Sequence, residues 1–257
     1  MNTFVFDIET VPDIEGGRRI YGLDNLTDAE VAQALFNLRR QQTGGSEFLR
    51  LHLQRIVAIS VLLRTPERLK IWTLGDENSS EGDLLTRFFQ GIDRYSPTLV
   101  SWNGGGFDLP VIHYRSLVHG VASPRYWEQG ENDSSFRYNN YLNRYHHRHT
   151  DLMDLLAAFQ PRANVPLDEM AALLGFPGKM GMSGGKVWDA YQAGEIKRIR
   201  DYCETDVMNT YLVYVRYQLI RGEISQQRYN DELQFVRDTL KNENKPHLEQ
   251  FLSAWIE

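Results

Sequence analysis

The chain has 257 residues, 42% of them apolar and 24% charged, and a net charge of −6, enough for a sizeable core in one large domain or two small ones. The negative balance excludes a protein that coats nucleic acid by bulk electrostatics, and the single cysteine, Cys203, excludes an internal disulfide or a Cys-rich zinc site. No apolar run approaches the roughly 20 residues that cross a bilayer, and the N-terminus has no basic segment followed by an apolar one, so a cytoplasmic protein without membrane contact is expected.

Residues 3–10 (TFVFDIET) read as a short strand ending in two acids. Strand side chains alternate, so Asp7 and Glu9 share one face with Val5, while Phe4, Phe6 and Ile8 share the other. Two acids on one face of a buried strand repel each other and resist desolvation. A divalent cation between them would keep both ionised; a strand running out into a solvated acidic turn would carry the same letters. The next residues turn the chain, and Gly16 and Gly17 continue as loop. Asp28 to Arg40 carries apolar residues at helical spacing, with Thr27 and Glu30 as a capping box. Residues 41–46 are polar and are expected to be mobile. Residues 12–50 thus form an insertion between two strands, either a surface excursion or a lid.

Ile56 to Leu63 (IVAISVLL) has the composition of a central strand buried on both faces, and Leu69 to Leu74 follows as a third strand. Glu81 to Tyr95 is an amphipathic helix. Thr98 to Trp102 re-enters the sheet after a helix and is therefore expected parallel to the first strand. It ends in a glycine-rich turn, Asn103 to Gly106, then Phe107 and Asp108, which opens a helix reaching about His119. That turn matches neither a phosphate loop nor a dinucleotide fingerprint, and an acid in a first helical turn is ordinarily explained by the helix dipole.

Residues 120–148 look irregular. The run Tyr145-His146-His147-Arg148-His149 lacks zinc spacing and is expected to be a solvated or substrate-edge loop. A helix is expected over 151–160, capped by Thr150 or Asp151, with Asp151 and Asp154 outside any site. A short helix spans Leu167 to Leu174, and residues 177–185 are expected to be flexible. A helical turn covers Val187 to Gln192, and a long helix starts at Glu195. On it Tyr202 and Asp206 share a face one turn apart, with Asp206 amid apolar neighbours; Asp201 and Glu204 are expected to be solvated. Helices over 224–241 and 246–257 close the chain.

Three segments together are informative. FDIET at 6–10, Asn103 to Asp108 with Phe107 before the acid, and Tyr202-x-x-x-Asp206 resemble, in order and type, the three motifs of the DEDD superfamily of 3′–5′ exonucleases. The tyrosine places the resemblance in the DEDDy subclass, near stand-alone exonucleases similar to the proofreading domain of B-family DNA polymerases. It covers roughly residues 1–220 and leaves the 12–50 insertion and the helices at 224–257 unmapped. It implies one domain over 1–257 with an α/β, RNase H-like fold: a mixed sheet of about five strands flanked by helices. It implies two divalent cations, Mg²⁺ or Mn²⁺, held by Asp7, Glu9, Asp108 and Asp206. Asp7 would serve both ions, and Tyr202 would orient the attacking water. By the same resemblance Thr10, Asn103 and Phe107 would touch the last nucleotides, while Lys186 and Lys197 are candidates for a phosphate. Oxygen donors suit those ions.

The expected activity is release of nucleoside 5′-monophosphates from the 3′ end of single-stranded DNA, with DNA repair as its setting. The alternatives are an exoribonuclease trimming RNA ends, a catalytically inactive nucleic-acid-binding module, or a nuclease of the same fold that cuts internally or at junctions.

Overall fold

The computed structural model describes residues 2–256. These form a mixed five-stranded sheet with helices on both faces, an α/β architecture of the RNase H-like kind. The strands are β1 (Thr3–Pro12), β2 (Gln54–Arg64), β3 (Leu69–Thr73), β4 (Thr98–Ser101) and β5 (His149–Asp151), in the order β3-β2-β1-β4-β5. β1, β2 and β3 pair antiparallel as a meander. β4 runs parallel to β1 and β5 parallel to β4.

Alternation along β1 decides which side each helix takes. Phe4, Phe6 and Ile8 pack with Ile59, Val61 and Leu99 beneath α3 (Glu81–Tyr95) and α4 (Asp108–His119). Val5, with Leu62, Ile71 and Val100, faces α9 (Ile196–Ile220) through Val207, Met208 and Tyr211. α9 is therefore buried along most of its length. Its outer side is covered by α10 (Gln226–Asn242) and α11 (Pro246–Ala254), which bring Tyr229, Val236, Leu240, Leu248 and Phe251 into the same core. The expected helix over 246–257 stops at Ala254, and Glu257 lies outside the described residues.

Several sequence expectations change. The glycine pair at 16–17 lies inside a helix, α1 (Ile14–Tyr21), not in a loop. Asp13 caps it by accepting the Gly16 amide, and Gly22 ends it in the left-handed conformation that favours glycine. A side chain at Gly17 would press on Leu35 and Val31 of α2 (Asp28–Thr43); glycine lets the two helices touch. Together they enclose a small core of Val31, Leu35, Leu49 and Leu53, so the insertion is folded in its own right. The expected capping box at Thr27 and Glu30 is present. The tract expected to be mobile after residue 40 continues as helix to Thr43, and Gly44 caps it.

The expected strand at 98–102 closes at Ser101. Residues 145–148 of the His-rich run are the expected irregular, partly solvated loop, but its last residue departs: His149 is buried in β5, and its ring lies 2.8 Å from Ser101 Oγ. Three residues are too few for any periodicity to announce a strand. The helix expected over 151–160 is only Leu152–Leu156, α6, because Ala158 and Phe159 take positive φ. α5 (Pro124–Trp127) is a single turn in the irregular stretch; α7 (Leu167–Leu173) and α8 (Val187–Gln192) are short. In the stretch expected to be flexible, Gly178 is pinned by Asn209, which donates to its carbonyl at 2.8 Å and accepts its amide at 3.2 Å.

A buried ion cluster holds α4 in place. Arg115, 3% exposed, bonds Glu81 at 2.6 Å and also Asp13, and Glu81 accepts the Ile56 amide at 2.6 Å. A guanidinium this deep needs its carboxylates, and satisfying it ties the end of β1, the start of β2, α3 and α4 together. No described helix is long and apolar enough to cross a membrane.

Candidate active site

β1 outruns its neighbour. β4 pairs only with Thr3, Phe4 and Val5, so the edge of β1 beyond that point has no strand beside it. Asp108, the first residue of α4, fills the vacancy: its Oδ1 accepts the Ile8 amide at 3.1 Å. A carboxylate thereby takes the place of a strand carbonyl and arrives between Asp7 and Glu9 along the chain. The turn that delivers it is tight. Side chains at Gly104 or Gly106 would collide with Ser101 and Asn103, and Asn103 itself sits at φ 64°. Asp151 holds the turn from below, accepting the amides of Asn103 at 3.0 Å and Gly105 at 2.8 Å while also capping α6. The sequence shows Asp151 as a cap; its support of the turn comes from the β4–β5 pairing.

On the other face of β1, α9 lays Tyr202, Cys203 and Asp206 against the strand. Cys203 is buried, with Sγ 3.4 Å from the Asp7 carbonyl and 3.5 Å from its carboxylate. Donor atoms of Asp7, Glu9 and Cys203 lie within 4.8 Å of one another.

The electrostatics reflect crowding of like charges in a poorly solvated place, with Glu9 and Asp108 buried and Asp7 and Asp206 half-buried. Burial, then the charges of Asp108, Glu9 and Asp206, push the Asp7 carboxyl well above its ordinary range. Burial, then Asp206 and Asp108, do the same to Glu9. Burial raises Asp108 to about 7 against the pull of the Ile8 amide. Burial raises Asp206 to about 7 against a hydrogen bond from Tyr202. Lys179 reaches Asp206 with its charge, but among the described residues no Lys or Arg forms an ion pair with any of the four acids. The Tyr202 hydroxyl is pushed up by burial and by Asp206 and Glu9, so it stays neutral. Burial and Asp7 likewise keep the Cys203 thiol protonated.

Four carboxylates that cannot comfortably be charged together are what a divalent cation relieves. Oxygen donors fit Mg²⁺ or Mn²⁺; a soft thiol is a poor ligand for such hard ions. The donor set therefore fits the expected metals, with Cys203 as packing beneath it. Cys203 escapes a reading of the sequence because a cysteine beside a tyrosine on a helix carries no metal spacing.

The other expected residues divide. Thr10 follows Glu9 and gives its hydroxyl to Gln54 Oε1 at 2.9 Å. Asn103 and Phe107 flank the glycine turn, and Phe107 is the N-cap residue of α4, next to Asp108. Lys197 is committed to Asp201 at 2.5 Å on an exposed side of α9. Lys186 is exposed at the head of α8 and forms no ion pair among the described residues.

Glu204 is not solvated. It is 5% exposed and accepts the Thr73 amide at 2.9 Å, Lys245 at 3.0 Å and His247 at 2.8 Å. Burial pushes its carboxyl up, but His247 and Lys245 outweigh that and bring it to about 2. Asp201 is only partly solvated, lying 3.2 Å from His247 Nδ1. The expectation of solvent fails for both because the helices that cover this side of α9 come some forty residues later.

Comparisons with known proteins agree with the architecture. Residues 46–255 match the family described as "Predicted 3'-5' exonuclease related to the exonuclease domain of PolB". Over 57 residues, 22% of this chain, the sequence is 46% identical to the catalytic subunit of DNA polymerase epsilon from Saccharomyces cerevisiae, of which that stretch is 2%. The fold superposes on the family B DNA polymerase of the archaeon Pyrobaculum calidifontis with a TM-score of 0.50 and 18% identity, covering 85% of this chain and 24% of that one. The chain thus spans a small part of each polymerase. With the sheet order, the acids at the end of β1 and a family match over most of its length, this chain belongs to the predicted 3′–5′ exonucleases related to the exonuclease domain of PolB.

Proposed function

We propose that this protein is a metal-dependent 3′–5′ exonuclease of the DEDDy type that shortens single-stranded DNA and releases nucleoside 5′-monophosphates. The observation that carries this reading is the convergence of Asp7, Glu9, Asp108 and Asp206 at the end of β1, Glu9 and Asp108 buried and Asp7 and Asp206 half-buried, with each pushed toward its protonated form. Two divalent ions, Mg²⁺ or Mn²⁺, would supply water activation there and neutralise charge on the leaving 3′-oxygen. Asp7, Glu9 and Asp206 would hold one ion, and Asp7 with Asp108 the other.

The chain's own residues do the positioning. Tyr202, neutral and donating its one O–H to Asp206, orients the attacking water by accepting a hydrogen bond on its phenol oxygen. A bond forms from the water oxygen to phosphorus, the bond to the 3′-oxygen breaks, and the water's protons pass to solvent and to the leaving oxygen. Thr10 and Asn103 flank the terminal nucleotide, and Phe107 offers its ring to a base, a contact indifferent to sequence. Lys186 is free to meet a phosphate; Lys197 would first have to leave Asp201. A role in DNA repair in the cytoplasm fits such an activity.

The test uses matched DNA and RNA oligonucleotides labelled at the 5′ end, with Mn²⁺ or with chelator. The expected result is stepwise shortening of DNA that requires the metal and disappears in Asp7→Ala and Asp206→Ala. Preferential shortening of RNA would move the substrate to the exoribonuclease alternative. An intact single strand with metal present would end the enzyme reading in favour of a binding module, and internal cuts would end the exonuclease reading.

A further inference from the structure

Phe48 is an exposed aromatic whose ring meets the residue directly before Asp108. It lies in the connection between α2 and β2, and its side chain leaves the residue 58% exposed. Its backbone is nevertheless fastened. Arg39 Nε donates to the Phe48 carbonyl at 2.8 Å. The next residue, Leu49, is 3% exposed in the core of the insertion, and its carbonyl accepts from Gln54 Nε2 at 3.2 Å. The other end of that amide, Gln54 Oε1, takes the Thr10 hydroxyl. Two side-chain hydrogen bonds thus lead from the residue after Glu9 to the residue after Phe48. On its far side the Phe48 ring meets Phe107, with centroids 5.6 Å apart and planes at 50°. Phe107 directly precedes Asp108. The ring of Phe48 is therefore referenced to both segments that carry the acids.

A phenyl ring left in water loses the free energy that burial would return. Single exposed aromatics are common on surfaces, but this one is paired with a second ring, Phe107, on the residue directly before Asp108. Resting on the exonuclease reading above, we propose that Phe48 and Phe107 form a two-ring corner in which Phe48 stacks the face of the 3′-terminal base and Phe107, tilted 50° from it, closes the side. The ligand class is any nucleobase at a single-stranded 3′ end, because every base has a π-face. The folded insertion around α1 and α2 then belongs to the substrate site: it supplies one of the two rings, and the Thr10–Gln54–Leu49 linkage keeps that ring in register with β1.

The experiment measures KM and kcat for the full chain with Mn²⁺ on two single-stranded DNA substrates. One ends in an ordinary nucleotide and the other in a 3′-terminal abasic nucleotide. Phe48→Ala should raise KM on the ordinary end by about 5- to 100-fold, the range of one lost base–aromatic stack. On the abasic end, wild type and Phe48→Ala should be equal, and Phe48→Tyr should restore the ordinary-end KM. Phe48→Leu keeps apolar volume without a ring and should behave like Phe48→Ala. Equal KM for wild type and Phe48→Ala on the ordinary end, or the same loss on the abasic end, would overturn the proposal. So would full affinity in Phe48→Leu. A wild-type protein that degrades neither strand would instead take down the exonuclease reading, and this proposal with it.

Discussion

Asp108→Asn removes a charge and keeps nearly everything else. The asparagine oxygen can still accept the Ile8 amide that Asp108 accepts at 3.1 Å, at a site only 3% exposed. Burial holds the Asp108 carboxyl at about 7, where 3.8 is ordinary. For a carboxyl raised in the folded state, stability relative to a neutral isostere declines as pH climbs from the unfolded value to the folded one. At about 1.4 kcal/mol per pH unit, the ionised side chain costs the fold up to about 4 kcal/mol at pH 8. In chelator at pH 8, Asp108→Asn should therefore melt higher than wild type, by up to roughly 15 °C for a chain of this length. At pH 5 the folded carboxyl is protonated, the remaining cost falls below about 2 kcal/mol, and the gap should shrink to less than half. Thermal unfolding of both proteins at the two pH values reads this directly. If Asp108→Asn melts no higher at pH 8, or keeps the same advantage at pH 5, the carboxylate is not the strained group described here. The same substitution should abolish hydrolysis, because the amide brings no negative charge to offset a divalent cation: the site is stable when neutral and functional when charged.

Two more outcomes rest on the same geometry. Tyr202→Phe should slow hydrolysis by about 100-fold without moving the alkaline limb of the pH–rate profile, since the hydroxyl is neutral throughout that range; a limb that vanishes would mean the tyrosine acts as a base. Glu204→Ala should cost about 2–4 kcal/mol in urea unfolding at pH 7 by stranding Lys245, His247 and the Thr73 amide. Because the Glu204 carboxyl is lowered to about 2, that difference should be complete above the ordinary carboxylate value of 4.5 and narrow as pH falls toward 2; a difference unchanged at pH 3 would refute the ionic account.

By itself the sequence determined the features that arise from local periodicity and from residue types in order. Alternation in TFVFDIET settled which side of β1 carries Asp7 and Glu9, and the i, i+4 spacing of Tyr202 and Asp206 put them on one helix face. The central strand at Ile56 to Leu63 and the capping box at Thr27 were legible as short-range preferences written in neighbouring residues, and the parallel entry of β4 followed from the helix that precedes it. Tertiary structure decided whatever depends on a distant partner. β5 exists because His149 to Asp151 finds the edge of β4, not because three residues prefer extension. Gly17 is accommodated in a helix because α2 packs on it. Glu204 is buried because α11 returns some forty residues later to bring Lys245 and His247 against it. Asp108 reaches the acids because β4 ends where β1 does not, and Phe48 reaches Phe107 because the insertion folds back along Gln54. Those contacts span tens of residues, and no local pattern encodes their closure.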